Sequence, residues 1–334
     1  MAGLVNTLMS VQRVECGALG LEVSAIGLGC MGMSETYGPK EETHTLQALH
    51  ASLEAEMNFW DTADIYGNGG NERLLSKVLA TYRNQIVLAS KCGITGRDAE
   101  GLVINGRPDY IHRACEASLK RLGVEYIDLY YLHRVDPDVP VEESVGALGE
   151  LVDKGMVRFI GLSEAAADTV KRGHKEFPLS AVQSEYSLFS RGVEEEVLPL
   201  LRELKIALVA YSPLGRGFLT GEIRHESDLA SNDFRRQLPR FTEENLQKNA
   251  RLVERVKEVA KARHATPAQV ALAWLCYKSG VIPIPGTTRP QRVFENAEAA
   301  RLSLDATEHE ALNFSPQSVQ GARYSPILAK SVER

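Results

Sequence analysis

Four side chains in the first 133 residues are of the types needed to place a proton on an oxygen: Asp61, Tyr66, Lys91 and His133. Each stands at or just beyond the end of a short apolar run. Asp61 closes 57–60, Tyr66 lies in the loop DTADIYGNGGNE that follows, Lys91 ends 86–90 and His133 ends 127–132. A phenol with a pKa near 10 keeps its proton at neutral pH and can deliver it to oxygen if a neighbour stabilises the phenolate. Lys91 is that neighbour, Asp61 would hold the lysine charged and oriented, and His133 would aim a hydrogen bond at the same oxygen. Protonating an oxygen that gains negative charge is the protein's task when a carbonyl accepts hydride. Taken singly, each residue has a plainer role: a turn cap, a packed ring, a solvated lysine, a core histidine. Their common register at successive run ends carries the chemical reading.

Later run ends supply contacts for the hydride source. Ser163 and Glu164 follow 157–162, Gln183 follows 180–182, and Tyr211 follows 206–210 with a ring placed to stack on nicotinamide. The last run leads into IPGTTRPQRVFEN, where Thr288 and Gln291 are spaced as a capping box and Pro290 suits a first helical turn. A helix start offers free N–H groups to an anion, and Arg292 can add a bidentate contact to phosphate. An ordinary helix start is the plainer alternative there.

The elements that must position these groups alternate regularly. A hairpin is expected at 12–16 and 21–24 around Gly17-Ala18-Leu19-Gly20. Eight strand-then-helix units follow: 25–29 with 41–56, 57–60 with 71–80, 86–90 with 108–121, 127–132 with 141–153, 157–162 with 164–173, 180–183 with 194–203, 206–210 with 244–263, and 281–284 with 290–300. Parallel strands need such crossovers, so the expected fold is α/β, a (β/α)8 TIM barrel with an N-terminal β-hairpin and a C-terminal extension. We expect a single domain over 1–334, with 1–11 as a flexible N-terminus and 212–241 as a loop over cofactor and substrate. A further helix is expected at 306–312, and the tail beyond it has no assignment.

Gly27-Leu28-Gly29-Cys30-Met31-Gly32 matches G-x-G-x-x-G, the start of a dinucleotide-binding open sheet. That motif needs a helix opening at its third glycine, whereas Gly38-Pro39 intervenes before any helical pattern. Glycines that let the chain pass close to a ligand at a barrel mouth are the better account.

Composition excludes several classes. The 334 residues carry 38 basic and 44 acidic side chains, net −6, with 44% hydrophobic and 25% charged residues, the balance of a soluble globular chain. Lys and Arg are not concentrated as a nucleic-acid footprint would require, and no apolar run approaches the roughly 18 residues of a membrane span. Five scattered cysteines without a C-x-x-C pair argue against a metal site or redox dithiol and for a cytoplasmic protein.

Over nearly its whole length the chain resembles the aldo-keto reductase superfamily, and its microbial and plant branch in particular. FWDTADIYGNGGNERLLSKVL resembles the aspartate-and-tyrosine signature, SKCGI the lysine strand, DLYYLH the histidine strand and IPGTTRPQRVFEN the cofactor-phosphate signature. The resemblance implies a tetrad of Asp61, Tyr66, Lys91 and His133 with Tyr66 as proton donor. It implies NADPH, with NADH as the alternative, stacked on Tyr211. Its carboxamide would meet Ser163 and Gln183, and its pyrophosphate Ser212, Leu214 and Gly217. Thr287 and Arg292 would hold the 2′-phosphate beside Gly286, with Gln291, Glu295 and Asn296 near the adenosine. Glu164 departs from the asparagine of many members, and Gly286 from the lysine of many animal ones. Met33, Tyr37, Trp60, Arg134 and Phe218 are the candidates for the substrate side.

The implied activity is reduction of a small-molecule aldehyde or ketone to an alcohol, without nucleic-acid or membrane partners. A cofactor-sensing regulatory subunit resembling those of potassium channels is the alternative. The carbonyl compound, the direction of reaction and the oligomeric state stay open.

Overall fold

The computed structural model describes residues 11–34 and 41–333. Most of the expected 1–11 segment, and Tyr37, lie outside these; Val11 is described and is buried.

Strands β1 (Arg13–Glu15) and β2 (Glu22–Ser24) form the antiparallel hairpin. The barrel sheet follows, made of β3 (Leu28–Gly29), β4 (Phe59–Asp61), β5 (Val87–Cys92), β8 (Ile127–Leu132), β9 (Val157–Ser163), β10 (Ala181–Glu185), β11 (Ala207–Tyr211) and β12 (Val281–Pro283), paired in that order and all parallel. Between β5 and β8 the chain inserts a second antiparallel hairpin, β6 (Ile94–Asp98) with β7 (Gly101–Ile104). The crossover helices are α1 (Glu42–Glu54), α2 (Gly70–Tyr82), α3 (Pro108–Leu122), α4 (Val141–Asp153), α5 (Ala167–Glu176), α6 (Val197–Leu204) and the pair α7 (Glu243–Ala262) and α8 (Pro267–Cys276). Then come α9 (Pro290–Glu298), α10 (Ala306–Ala311) and α11 (Pro326–Ala329).

Strands covered on both faces read as continuous apolar runs, and β8, IDLYYL, is buried at every position. The alternation of side chains then separates two cores. Phe59, Ala89, Leu129, Tyr131, Ala181, Val209 and Ile282 fill the inside of the barrel, together with Cys16, Leu21 and Val23 of the hairpin. Trp60, Leu88, Tyr130, Leu132 and Leu208 face the helices.

The hairpin plugs the end of the barrel where the strands begin. Ala18 donates its amide to Lys205 O (3.0 Å), and a Cβ at Gly17 would lie 2.3 Å from Ser180 O. The barrel closes between its first and last strands, where the Gly27 and Gly29 amides donate to Pro283 O and Pro285 O at 2.9 and 3.1 Å. A Cβ on Gly29 would stand 2.7 Å from Ile284 O. Gly27 and Gly29 thus permit closure of the sheet, and Gly29, with Gly32, also lines the cleft at the barrel mouth.

Two expectations of the fold differ from the structure. Helix α8 was not anticipated, although Thr266 and Gln269 form a reciprocal capping box ahead of it. The capping box expected at Thr288 and Gln291 is absent: Arg289 is the N-cap of α9 without a side-chain bond, and the Thr287 hydroxyl accepts from the Arg289 amide instead (3.1 Å).

Candidate active site

The carboxyl ends of the barrel strands open into a cleft of about 1110 Å³. β4 supplies Asp61 and the residue after β8 is His133, both lining the cleft, while β5 supplies Lys91, fully buried against Asp61. Tyr66 hangs from the loop after β4, and Asn71 pins that loop. Asn71 accepts from the Thr62 hydroxyl (2.6 Å), donates to Cys30 O (2.9 Å), and gives its own amide to Tyr66 O (3.2 Å). Gly67, Asn68 and Gly69 then turn into α2 with φ of 55°, 50° and 78°, a left-handed path that glycine and asparagine follow at least steric cost.

Lys91 is the hub. Its Nζ donates to Asp61 Oδ1 (2.5 Å), to Thr62 O (2.7 Å) and to Tyr66 Oη (3.3 Å). Gln183 Nε2 donates to the other Asp61 oxygen (2.7 Å). The rings of Tyr66 and His133 meet edge to face with centroids 5.8 Å apart.

Electrostatics follow from burial and from this one ammonium. Burial favours the neutral amine at Lys91, but the charges and hydrogen bonds of Asp61 and Tyr66 outweigh it and hold the lysine pKa above its usual value. Burial also pushes the Tyr66 phenol up, while Lys91 pulls it down. The balance lies above 10, so the lowering expected from Lys91 is present and exceeded. His133 is driven well below the usual histidine value by burial, then by Lys91 and Arg134, so it is neutral near pH 7. The arrangement holds a protonated phenol against a cation and a neutral imidazole, the set required to donate a proton to a carbonyl oxygen.

A family model described as the Aldo/keto reductase family matches residues 25–314. A "Probable aldo-keto reductase 1" from Glycine max is 45% identical over 323 residues, covering 95% of this chain and 93% of the relative. The chain belongs to the aldo/keto reductase family. Among solved structures, this aldo/keto reductase resembles the glycerol dehydrogenase from Gluconobacter oxydans, with TM-score 0.82, 26% identity and 97% of each chain covered. It also resembles an aldo/keto reductase from Klebsiella pneumoniae in complex with NADP and acetate, with TM-score 0.72, 27% identity and 94% and 98% covered. It is accordingly an oxidoreductase on a (β/α)8 barrel.

Of the other candidates, Ser163, Gln183, Tyr211, Ser212, Leu214, Gly217, Gly286, Thr287, Arg292, Glu295, Asn296 and Arg134 line the cleft of this reductase. Gln291 does not; it is exposed on the first turn of α9. Met33, Trp60 and Phe218 also lie off the cleft, within the core, Phe218 stacked on Phe189 with centroids 4.9 Å apart. Glu164 does not line the cleft: Arg323 donates to both its oxygens (2.5 and 3.3 Å) and the Glu185 amide to one (2.9 Å).

Several cleft residues were not anticipated. Tyr324, Leu328 and Ser331 come from the C-terminal tail, which crosses the mouth and is fastened by Glu333 accepting from Ala166 N (3.0 Å) and Thr169 Oγ1 (3.1 Å). Glu222 also lines the cleft and receives Arg292 Nη2 on both carboxylate oxygens (2.5 and 2.6 Å). The five cysteines are free, and burial pushes the thiols of Cys16, Cys115 and Cys276 up to about 12.

Proposed function

We propose that this protein reduces an aldehyde or ketone to an alcohol with NADPH, Tyr66 acting as the general acid. The observation that carries this reading is the buried Lys91 Nζ bridging Asp61 and Tyr66, which line one cleft together with His133. The cofactor is NADP(H), as befits the family, and the residues present fit it. A single cleft is lined both by Tyr66 and by Thr287 and Arg292, a hydroxyl and a guanidinium of the kind that binds phosphate. Ser163 and Gln183 would hold the carboxamide, Tyr211 the nicotinamide face, and Ser212, Leu214 and Gly217 the pyrophosphate. Thr287 and Arg292 would take the 2′-phosphate, with Glu295 and Asn296 beside the adenosine; NADH lacks the group that Arg292 would bind. The loop 212–241 would close over this cofactor within a single barrel domain.

When bound, NADPH supplies the hydride. The protein's work is at the oxygen. The Tyr66 and His133 rings meet edge to face, and a carbonyl oxygen placed between Tyr66 Oη and the imidazole would accept hydrogen bonds from both. As negative charge develops on that oxygen, the Tyr66 proton passes to it, and Lys91 stabilises the phenolate left behind. Asp61 keeps Lys91 protonated and directed at Tyr66, and Gln183 fixes Asp61.

The test is to follow NADPH and NADH absorbance with a panel of aldehydes and ketones, and to repeat it with Arg292→Ala. Carbonyl-dependent oxidation of NADPH, with a loss in Arg292→Ala that is larger for NADPH than for NADH, is expected. Binding of NADPH without turnover on any carbonyl contradicts the reading.

A further inference from the structure

Arg134 follows His133 at the mouth of the barrel, is buried to 8% exposure and lines the cleft. One terminal nitrogen, Nη1, donates to His133 O (2.6 Å) and Ser163 Oγ (3.3 Å), which fixes the plane of the guanidinium. Nε is buried without a partner, and among the described residues no carboxylate stands within ion-pair distance. The acids that could have neutralised it are engaged elsewhere. Glu164 is taken up by Arg323 and the Glu185 amide, and Asp61 by Lys91 and Gln183.

An arginine does not give up its proton on burial, and Glu164, whose charge reaches this cation, is the ion-pair partner of Arg323, so Arg134 has no ion pair of its own among the described residues. A buried charge left unpaired is costly, and its presence in a cleft is best explained by a ligand that brings the anion. The cofactor phosphates are assigned to the groups around Ser212–Gly217 and to Thr287 and Arg292, leaving Arg134 to the substrate. Its charge also reaches the reacting groups: it helps lower the His133 pKa and pulls on that of Tyr66.

Resting on the reductase reading, we propose that the preferred substrates are carbonyl compounds bearing a carboxylate, which Arg134 binds while the carbonyl oxygen faces Tyr66 and His133. In the reaction a C–H bond forms from the hydride and an O–H bond from the Tyr66 proton. The C=O π bond breaks, NADPH is oxidised to NADP+, and the carboxylate is unchanged.

The test compares kcat/KM for phenylglyoxylate and its methyl ester, and for 4-carboxybenzaldehyde and benzaldehyde, in wild type, Arg134→Gln and Arg134→Lys. A charge-assisted contact predicts an acid-over-neutral ratio of about 10 to 100 in the wild type, falling toward one in Arg134→Gln and partly recovered in Arg134→Lys. Benzoate should protect the wild-type protein against thermal unfolding more than benzamide does, and lose that advantage in Arg134→Gln. A wild-type ratio near one, or a ratio unmoved by Arg134→Gln, overturns the proposal. Failure of the reductase reading looks different: no carbonyl is reduced, neutral or acidic, while benzoate protection still depends on Arg134.

Discussion

The hydroxyls of Tyr211 and Tyr324 lie 2.8 Å apart, although 113 residues separate them in the chain. Arg216 Nη2 donates to Tyr324 Oη (3.0 Å) and to Glu185 Oε2 (2.9 Å), so the ring that would face the nicotinamide is tied through the C-terminal tail to the barrel. Replacing Tyr324 by Phe removes that tie and leaves the tail's other bonds in place. A lost neutral hydrogen bond is worth roughly 1 kcal/mol, so the dissociation constant for NADPH should rise about five-fold, with a smaller change in kcat. Fluorescence titration of the cofactor beside steady-state rates checks it.

Arg292 and Glu222 give a prediction of opposite sign. The guanidinium that would bind the 2′-phosphate already has a carboxylate partner, and that partner must be displaced. Because the Glu222 side chain is 62% exposed, the pair is worth at most about 1 kcal/mol. Glu222→Gln should therefore tighten NADPH binding by up to about five-fold at low salt and leave NADH unchanged. Titrations of both cofactors at low and high salt measure this.

Much of this site was legible because parallel strands buried on both faces read as apolar runs, and the residue at each run's end is forced to the mouth. Asp61, Lys91, His133 and Gln183 are all of this kind. The same alternation argues against Trp60 as a substrate contact: it is adjacent to Asp61 on β4, so its side chain must point to the helices when Asp61 points inward. The tail was not legible, since Arg323, Tyr324 and Glu333 act through contacts with partners far away in the chain and follow no period. Helix α8 escaped because seven of its ten residues are buried, leaving no polar stripe to mark a period. Hairpin β6–β7 is short and half-exposed, with charged residues in ITGRD.

Asp64, in the loop between Asp61 and Tyr66, has Oδ1 buried without a partner and Oδ2 only 3.5 Å from the Tyr110 hydroxyl. Burial, reinforced by Glu72, pushes its carboxyl up from 3.8 to about 7. The folded protein thus keeps a proton that the unfolded chain releases; stability from neutral Asp64 is complete below 3.8 and is lost as pH rises through about 7. Asparagine mimics the protonated acid. Asp64→Asn should match the wild type in urea midpoint near pH 4 and exceed it at pH 8; equal midpoints at both values contradict the assignment.

Lys91→Met strips a buried carboxylate of its ion partner. Leaving Asp61 unpaired should cost about 3–5 kcal/mol, seen as a lower denaturant midpoint, whereas Lys91→Met combined with Asp61→Asn should recover part of the loss. Both variants should lack turnover, because nothing then stabilises a Tyr66 phenolate.

Tyr66→Phe tests the central claim most directly, since it removes one oxygen and leaves the ring against His133. NADPH affinity measured by fluorescence should stay within a few-fold of the wild type, while the single-turnover rate of carbonyl reduction falls by about 10² or more. A Tyr66→Phe protein that binds NADPH and reduces the same carbonyl at close to the wild-type rate would contradict the assignment of the proton donor.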